Sequence, residues 1–196
     1  MTTHKTVFDN DFSLEKADEV YSYQPALTNK LDKFDKPFDQ QTINEIVLWK
    51  VNRFALISDQ TLELLNKIDP KSTEIDIDLT TKILKALLQT KGIQLPMAST
   101  ILRFRNKNVY QIIDQRVYRI INSDKKLKLN LYQNDKNLAE QVELYLNYLS
   151  GLRIFCSKQN KPFEKIDRFL FMADKRINKK IPLDNYSTKA DKSHEE

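Results

Sequence analysis

Two glycines in 196 residues leave this chain little means of making tight reversals. Two-residue hairpins depend on backbone positions with positive φ, which glycine fills most easily. A fold made of hairpins and tight turns is therefore disfavoured, and helices are the expected answer. The apolar residues agree, because they recur at helical spacing. One helix is expected over 40–55, with Ile43, Ile46, Val47, Val51 and Phe54. Ser58 and Asp59 cap a short one that carries Leu62, Leu65 and Ile68 and ends at Pro70. The next holds Leu79, Ile83, Leu84, Leu87 and Leu88 and stops at Thr90-Lys91-Gly92. Gly92 suits a left-handed residue after a helix, and Pro96 suits the first turn of the next one, which carries Ala98, Ile101 and Leu102.

Asp114 is placed to N-cap a helix with Val117, Ile120 and Ile121. Asn134 or Asp135 opens a long helix from Leu138 to Leu152, and Pro162 opens a last one through Ile166, Phe169, Leu170 and Met172. STEIDIDL and KLKLNLY alternate like strands but have no evident partner, so they are read as extended connectors. The fold class is mostly α, a helical bundle. Residues 1–37 are read as an N-terminal arm with a short helix near 12–20, 38–181 as the domain, and 182–196 as a disordered tail.

The net charge of +5 is unevenly distributed. Residues 1–45 hold five lysines against nine acids, whereas 91–130 hold nine Lys/Arg against two acids and 151–180 nine against three. Two basic segments suit a polyanion partner, or else a solvated lysine-rich surface. Cys156 is the only cysteine, which excludes an intramolecular disulfide framework or a cysteine metal cluster within one chain and fits a reducing, cytosolic setting. No apolar run approaches the ~20 residues of a membrane helix, and the N-terminus lacks the apolar core of a secretory signal. His4 and His194 stand near the ends, outside any metal-spaced cluster, so neither a metal nor another cofactor is expected. Phosphate-loop and serine- or cysteine-nucleophile motifs are also lacking.

Residues 91–121, KGIQLPMASTILRFRNKNVYQIIDQRVYRII, carry the chemical signal. A helix, a tight turn at Gly92 and a second helix offer unpaired backbone N–H groups to a phosphate, with no side chain in the way. The segment resembles the helix–hairpin–helix DNA glycosylase superfamily, which includes endonuclease III, the adenine mismatch glycosylases and the 8-oxoguanine glycosylases. In that family a G-apolar-G hairpin leads into a helix with Ala and an Ile-Leu-like pair. Eleven residues later an aspartate opens a D-x-x-apolar-x-R helix. Gly92, Ala98, Ile101 and Leu102 fall in step, residues 103–113 are the eleven, and Asp114, Val117 and Arg119 complete the pattern. The match covers about 30 residues.

The resemblance implies two small lobes around a cleft and double-stranded DNA with an altered base as partner. Asp114 would be the catalytic carboxylate, stabilising positive charge on the sugar as the flipped-out base departs. Its other reading is a helix N-cap and nothing more. NEIVLWKVNR resembles the helix that in some members carries a second acid, which makes Glu45 a proton donor and Trp49 a wedge. The alternative is a solvent-facing Glu45 and a core Trp49. Lys91, Gly92, Gln94, Ser99, Arg103, Arg105, Lys107 and Arg116 are the expected DNA contacts, while Arg119 could pair inside the fold. Tyr110 and Tyr118, either side of Asp114, would stack on the base or pack in the core.

Three departures refine the expectation. Gln94 replaces the second hairpin glycine. Pro96 takes the place of the Schiff-base lysine of bifunctional members, so monofunctional N-glycosidic hydrolysis is implied. The four-cysteine iron–sulfur cluster of some members has no counterpart. The expected protein is a monomer in the cytoplasm, on the nucleoid if bacterial, acting as a glycosylase. The rival is a non-catalytic helix–hairpin–helix DNA-binding protein.

Overall fold

A computed structural model describes residues 13, 16–19, 23–51, 55–122, 127–130 and 132–183. Among them the regular structure is helical throughout: eight α-helices and two short 3₁₀ turns. None is long and apolar enough to cross a membrane. Chain contacts divide the molecule into two compact units, residues 1–54 and 55–196. The tail after 183, Phe54, Lys125 and Lys126 lie outside the described residues.

The first unit is built on two helices, α1 (Pro25–Asp32) and α2 (Gln40–Lys50), after a 3₁₀ turn at Lys16–Glu19. Pro25 starts α1, where its missing N–H costs nothing, and the Asp39 carboxylate caps α2 by accepting the Thr42 N–H at 2.7 Å. Trp49 links the two. Its indole N–H donates to Thr28 Oγ1 at 2.9 Å, and its ring meets Tyr23 edge-on at 5.2 Å. Few side chains of this unit are buried. Ile43, Val47 and Val51, the apolar positions expected to face a core, are all exposed. Two helices of this length cover one narrow seam and leave the rest of each apolar face to solvent.

The second unit holds the core. It contains α3 (Asp59–Asn66), α4 (Ile77–Gln89), α5 (Leu95–Arg105), α6 (Gln115–Ile121), α7 (Asp135–Gln159) and α8 (Ile166–Ile177). Side-chain oxygens of Ser58, Asp114 and Asn134 cap α3, α6 and α7, each accepting the N–H three residues on. Asp76 does the same for α4. STEIDIDL thus departs from its strand-like alternation: Ile75 packs on the core, Asp76 becomes a cap, and Ile77 opens the helix exposed. Ile83, Leu84 and Leu87 of α4 pack with Leu95, Ala98 and Leu102 of α5 and Tyr145 and Leu152 of α7, all fully buried. Each large aliphatic side chain removed from water there is worth about 1.5–3 kcal/mol. Leu127 and Leu129 enter the same core while Lys128 and Asn130 face out, as an extended connector should.

Between α4 and α5 the chain reverses in a single turn. The Ile93 N–H donates to the Thr90 carbonyl at 3.0 Å, and Gly92, third in this turn, has φ +84°. Positive φ at that position is what the turn demands, and only glycine meets it without strain. A Cβ on Gly92 would have no neighbour within 4 Å among the described residues. Gly92→Ala should therefore cost about 1 kcal/mol through backbone strain alone. In a urea titration the midpoint should fall while the slope stays constant.

The last helix departs from expectation in its facing. Phe169 and Met172 are exposed, whereas Ile166, Asp167, Leu170 and Asp174 turn inward. Two carboxylates on a core-facing side need partners, and those partners define the site.

Candidate functional site

The segment between α5 and α6 has no regular structure, yet Tyr110, Gln111 and Ile113 are almost wholly buried. Buried peptide groups outside a helix must find other partners. Here side chains from three helices supply them. The Tyr145 hydroxyl donates to the Gln111 carbonyl at 2.9 Å, and the Tyr148 hydroxyl donates to the Ile112 carbonyl at 2.5 Å. The Ile112 N–H donates to Asp167 Oδ2 at 3.3 Å, and the Ile113 N–H donates to Ser99 Oγ at 3.2 Å. Four contacts on three consecutive residues fix the approach to Asp114. Burial raises the hydroxyl pKa of both tyrosines well above the ordinary value, so they remain donors.

Asp114 ends this pinned segment. Its Oδ1 accepts the Val117 N–H at 2.8 Å, which makes it the N-cap of α6. Asp114 is also among the residues lining a cavity of about 360 Å³, with Ile112, Val117, Asp167, Arg168, Phe171 and Met172, whose surface is almost wholly apolar. Apolar surroundings push its pKa above the usual aspartate value, against the backbone N–H groups of Val117 and Arg116 that favour the charge. A carboxylate has more lone pairs than one cap bond uses, so chemistry and capping are compatible.

Arg103, Arg105 and Arg116, expected at phosphates, bond within the fold, as does Arg119. Arg103 is buried; its guanidinium donates to the Glu164 carbonyl at 3.0 Å and stands 3.7 Å from Asp167. Arg105 donates to the Leu65 and Asn66 carbonyls at 3.2 and 3.0 Å, closing the C-terminal end of α3. Arg116 and Arg119 converge on Asp174, whose side chain is fully buried. Arg119 reaches both Asp174 oxygens, at 2.6 and 2.8 Å, and also the carbonyls of Ile181 and Pro182. Arg116 approaches Asp174 at 3.1 Å and covers the Phe171 ring. These bonds hold the Asp174 pKa down at about 2.

Ser99 is likewise buried and serves Ile113. Lys91, Gly92, Gln94 and Lys107 are exposed, with Lys107 in a loose 3.6 Å pair with Glu164. Glu45 and Trp49 belong to the first unit, where Glu45 pairs with Lys30 at 2.6 Å. Tyr110 is a core residue whose hydroxyl meets Thr80 at 2.7 Å; Tyr118 is half-buried on α6. Tyr145, Tyr148, Asp167 and Asp174 complete the site and were not singled out from sequence.

No family model, curated protein or solved structure matches this chain. The chemistry is therefore read from its own residues: an aspartate at the end of a segment held from three helices, beside an apolar cavity of ligand size.

Proposed function

We propose that this chain is a compact, monofunctional DNA-glycosylase-like protein that excises an altered base from double-stranded DNA, with Asp114 as the catalytic carboxylate. The observation that carries the reading is the setting of Asp114, on the wall of an apolar cavity and at the end of a segment pinned from α5, α7 and α8. A flipped-out base and its sugar need a pocket of this kind. As the glycosidic bond lengthens, the carboxylate opposes the positive charge growing on the sugar and orients the attacking water. Asp114 must be ionised for this, so base release should rise with pH through its raised pKa.

The α4–α5 turn is read as the hairpin. Gly92 leaves its backbone open, and the first N–H groups of α5 have no side-chain cap. Lys91, Gln94 and Lys107 lie exposed nearby in sequence for the phosphates. Pro96 has no amine with which to form an imine, so the product should be an intact strand with an abasic site.

The alternative is a non-catalytic helix–hairpin–helix DNA-binding protein. The cap bond from Asp114 to Val117 favours it, since that bond accounts for an aspartate without any chemistry. Incubation with duplexes carrying a panel of altered bases, followed by alkali, separates the two. Strand breaks that require alkali support the glycosylase. Salt-sensitive binding without an abasic product supports the alternative, and absence of binding at low salt removes both.

A further inference from the structure

The outward side of α7 carries a pattern that the Asp114 site does not use and that touches the core only through Leu144. Glu140, Leu144, Asn147, Gly151, Ile154 and Lys158 recur at alternating steps of four and three, forming one stripe opposite the buried Val142, Tyr145, Leu149 and Leu152. All six line a groove of about 620 Å³ along α6 and α7, with Tyr118, Ile120 and Ile121 on the α6 side. Ile154 is 55 % exposed. Gly151 stands in the interior of a 25-residue helix, with nothing among the described residues within 4 Å of the position a Cβ would take. A mid-helix glycine costs about 1 kcal/mol relative to alanine, and the fold of this chain gives no return for it. A second backbone passing close to the helix would.

The stripe is complementary to itself. When two copies of α7 are laid antiparallel and centred on position 149, Glu140 faces Lys158, Leu144 faces Ile154 and Asn147 faces Gly151. Each pair occurs twice. Opposite charges meet at both ends, aliphatic groups meet inside them, and the asparagine meets the residue with no side chain. A parallel pairing would instead set Glu140 on Glu140 and Lys158 on Lys158.

We propose that this chain forms a two-fold symmetric homodimer through antiparallel pairing of α7 along this groove. The proposal is independent of the glycosylase reading, and it departs from the monomer expected from sequence.

Sedimentation equilibrium of the full chain, from micromolar to hundreds of micromolar, tests it. The wild type should approach twice its 23.1 kDa chain mass. Glu140→Lys and Lys158→Glu each create two like-charge contacts, and each should weaken dimerisation at least about tenfold. Both positions are exposed, so circular dichroism should remain that of the wild type. An equimolar mixture of the two variants should restore a dimer, because every charged pair is then opposite in sign. A wild type that stays monomeric throughout overturns the proposal. So does a dimer indifferent to either variant, or a mixture that fails to reassociate.

Discussion

Asp114→Asn is expected to abolish base release, by about 10²–10³-fold or more, while leaving the fold and DNA binding intact. Asparagine caps a helix as well as aspartate does, so the bond to the Val117 N–H survives the change. What it cannot supply is a negative charge against the sugar, and losing one preorganised electrostatic contact of that kind costs rates of this order. The pKa direction adds a second expectation. Burial makes the folded protein hold the Asp114 proton more tightly than the unfolded chain does. Its contribution to stability is therefore present below the ordinary carboxylate pKa and is lost as pH rises through the raised folded value. At neutral pH the charge works against the fold. Asp114→Asn should then match or exceed the wild-type melting temperature. Asp114→Ala should instead lose about 1 kcal/mol, because it removes the cap. A stable, DNA-binding, inactive Asn variant separates chemistry from structure; an active one would reduce Asp114 to a cap.

Asp174→Asn should cause a large loss of stability. The carboxylate is fully buried and answers two guanidinium groups and the Asn178 amide. Neutralising it removes the buried charge that Arg116 and Arg119 share, and such a change costs about 3 kcal/mol, toward the low end because both arginines keep some exposure. For a protein of this size the melting temperature should fall by about 6–12 °C. The pH dependence has the opposite sign to that of Asp114. The folded pKa is depressed to about 2 from 3.8, so the stabilisation is complete above the unfolded value and is lost as pH falls through 2. Acid unfolding followed by circular dichroism should show this limb in the wild type and a flatter one in Asp174→Asn. Equal melting temperatures would mean that the arginines are solvated and the network contributes nothing.

These two aspartates mark where the sequence was legible and where it was not. Local rules read well: Ser58, Asp114 and Asn134 cap helices because each has an N–H three residues on, and Gly92 takes positive φ in a turn that requires it. Asp76 was missed because IDIDL alternates like a strand, although its carboxylate needs only the Leu79 N–H to become a cap. The arginines are a problem of distance. Arg103 and Arg116 sit in a basic stretch and read as phosphate contacts, but their partners lie 58–61 residues away on or just before α8. No local pattern announces that a helix turns Asp167 and Asp174 inward and Phe169 and Met172 outward. The inward role of Ser99 is hidden for the same reason, since its partner Ile113 approaches only when the segment folds back over α5. Tyr145 and Tyr148 look like ordinary core residues; their hydroxyls matter only because an irregular segment runs beside α7.

The most direct measurement is mass-spectrometric detection of free base under single-turnover conditions, using whichever altered-base duplex the protein binds most tightly. The wild type should release one base per bound duplex and leave an unbroken strand with an abasic site, and Asp114→Asn should release none. Intact duplex with the wild type, or equal release by both proteins, would contradict the assignment of Asp114 as the catalytic carboxylate.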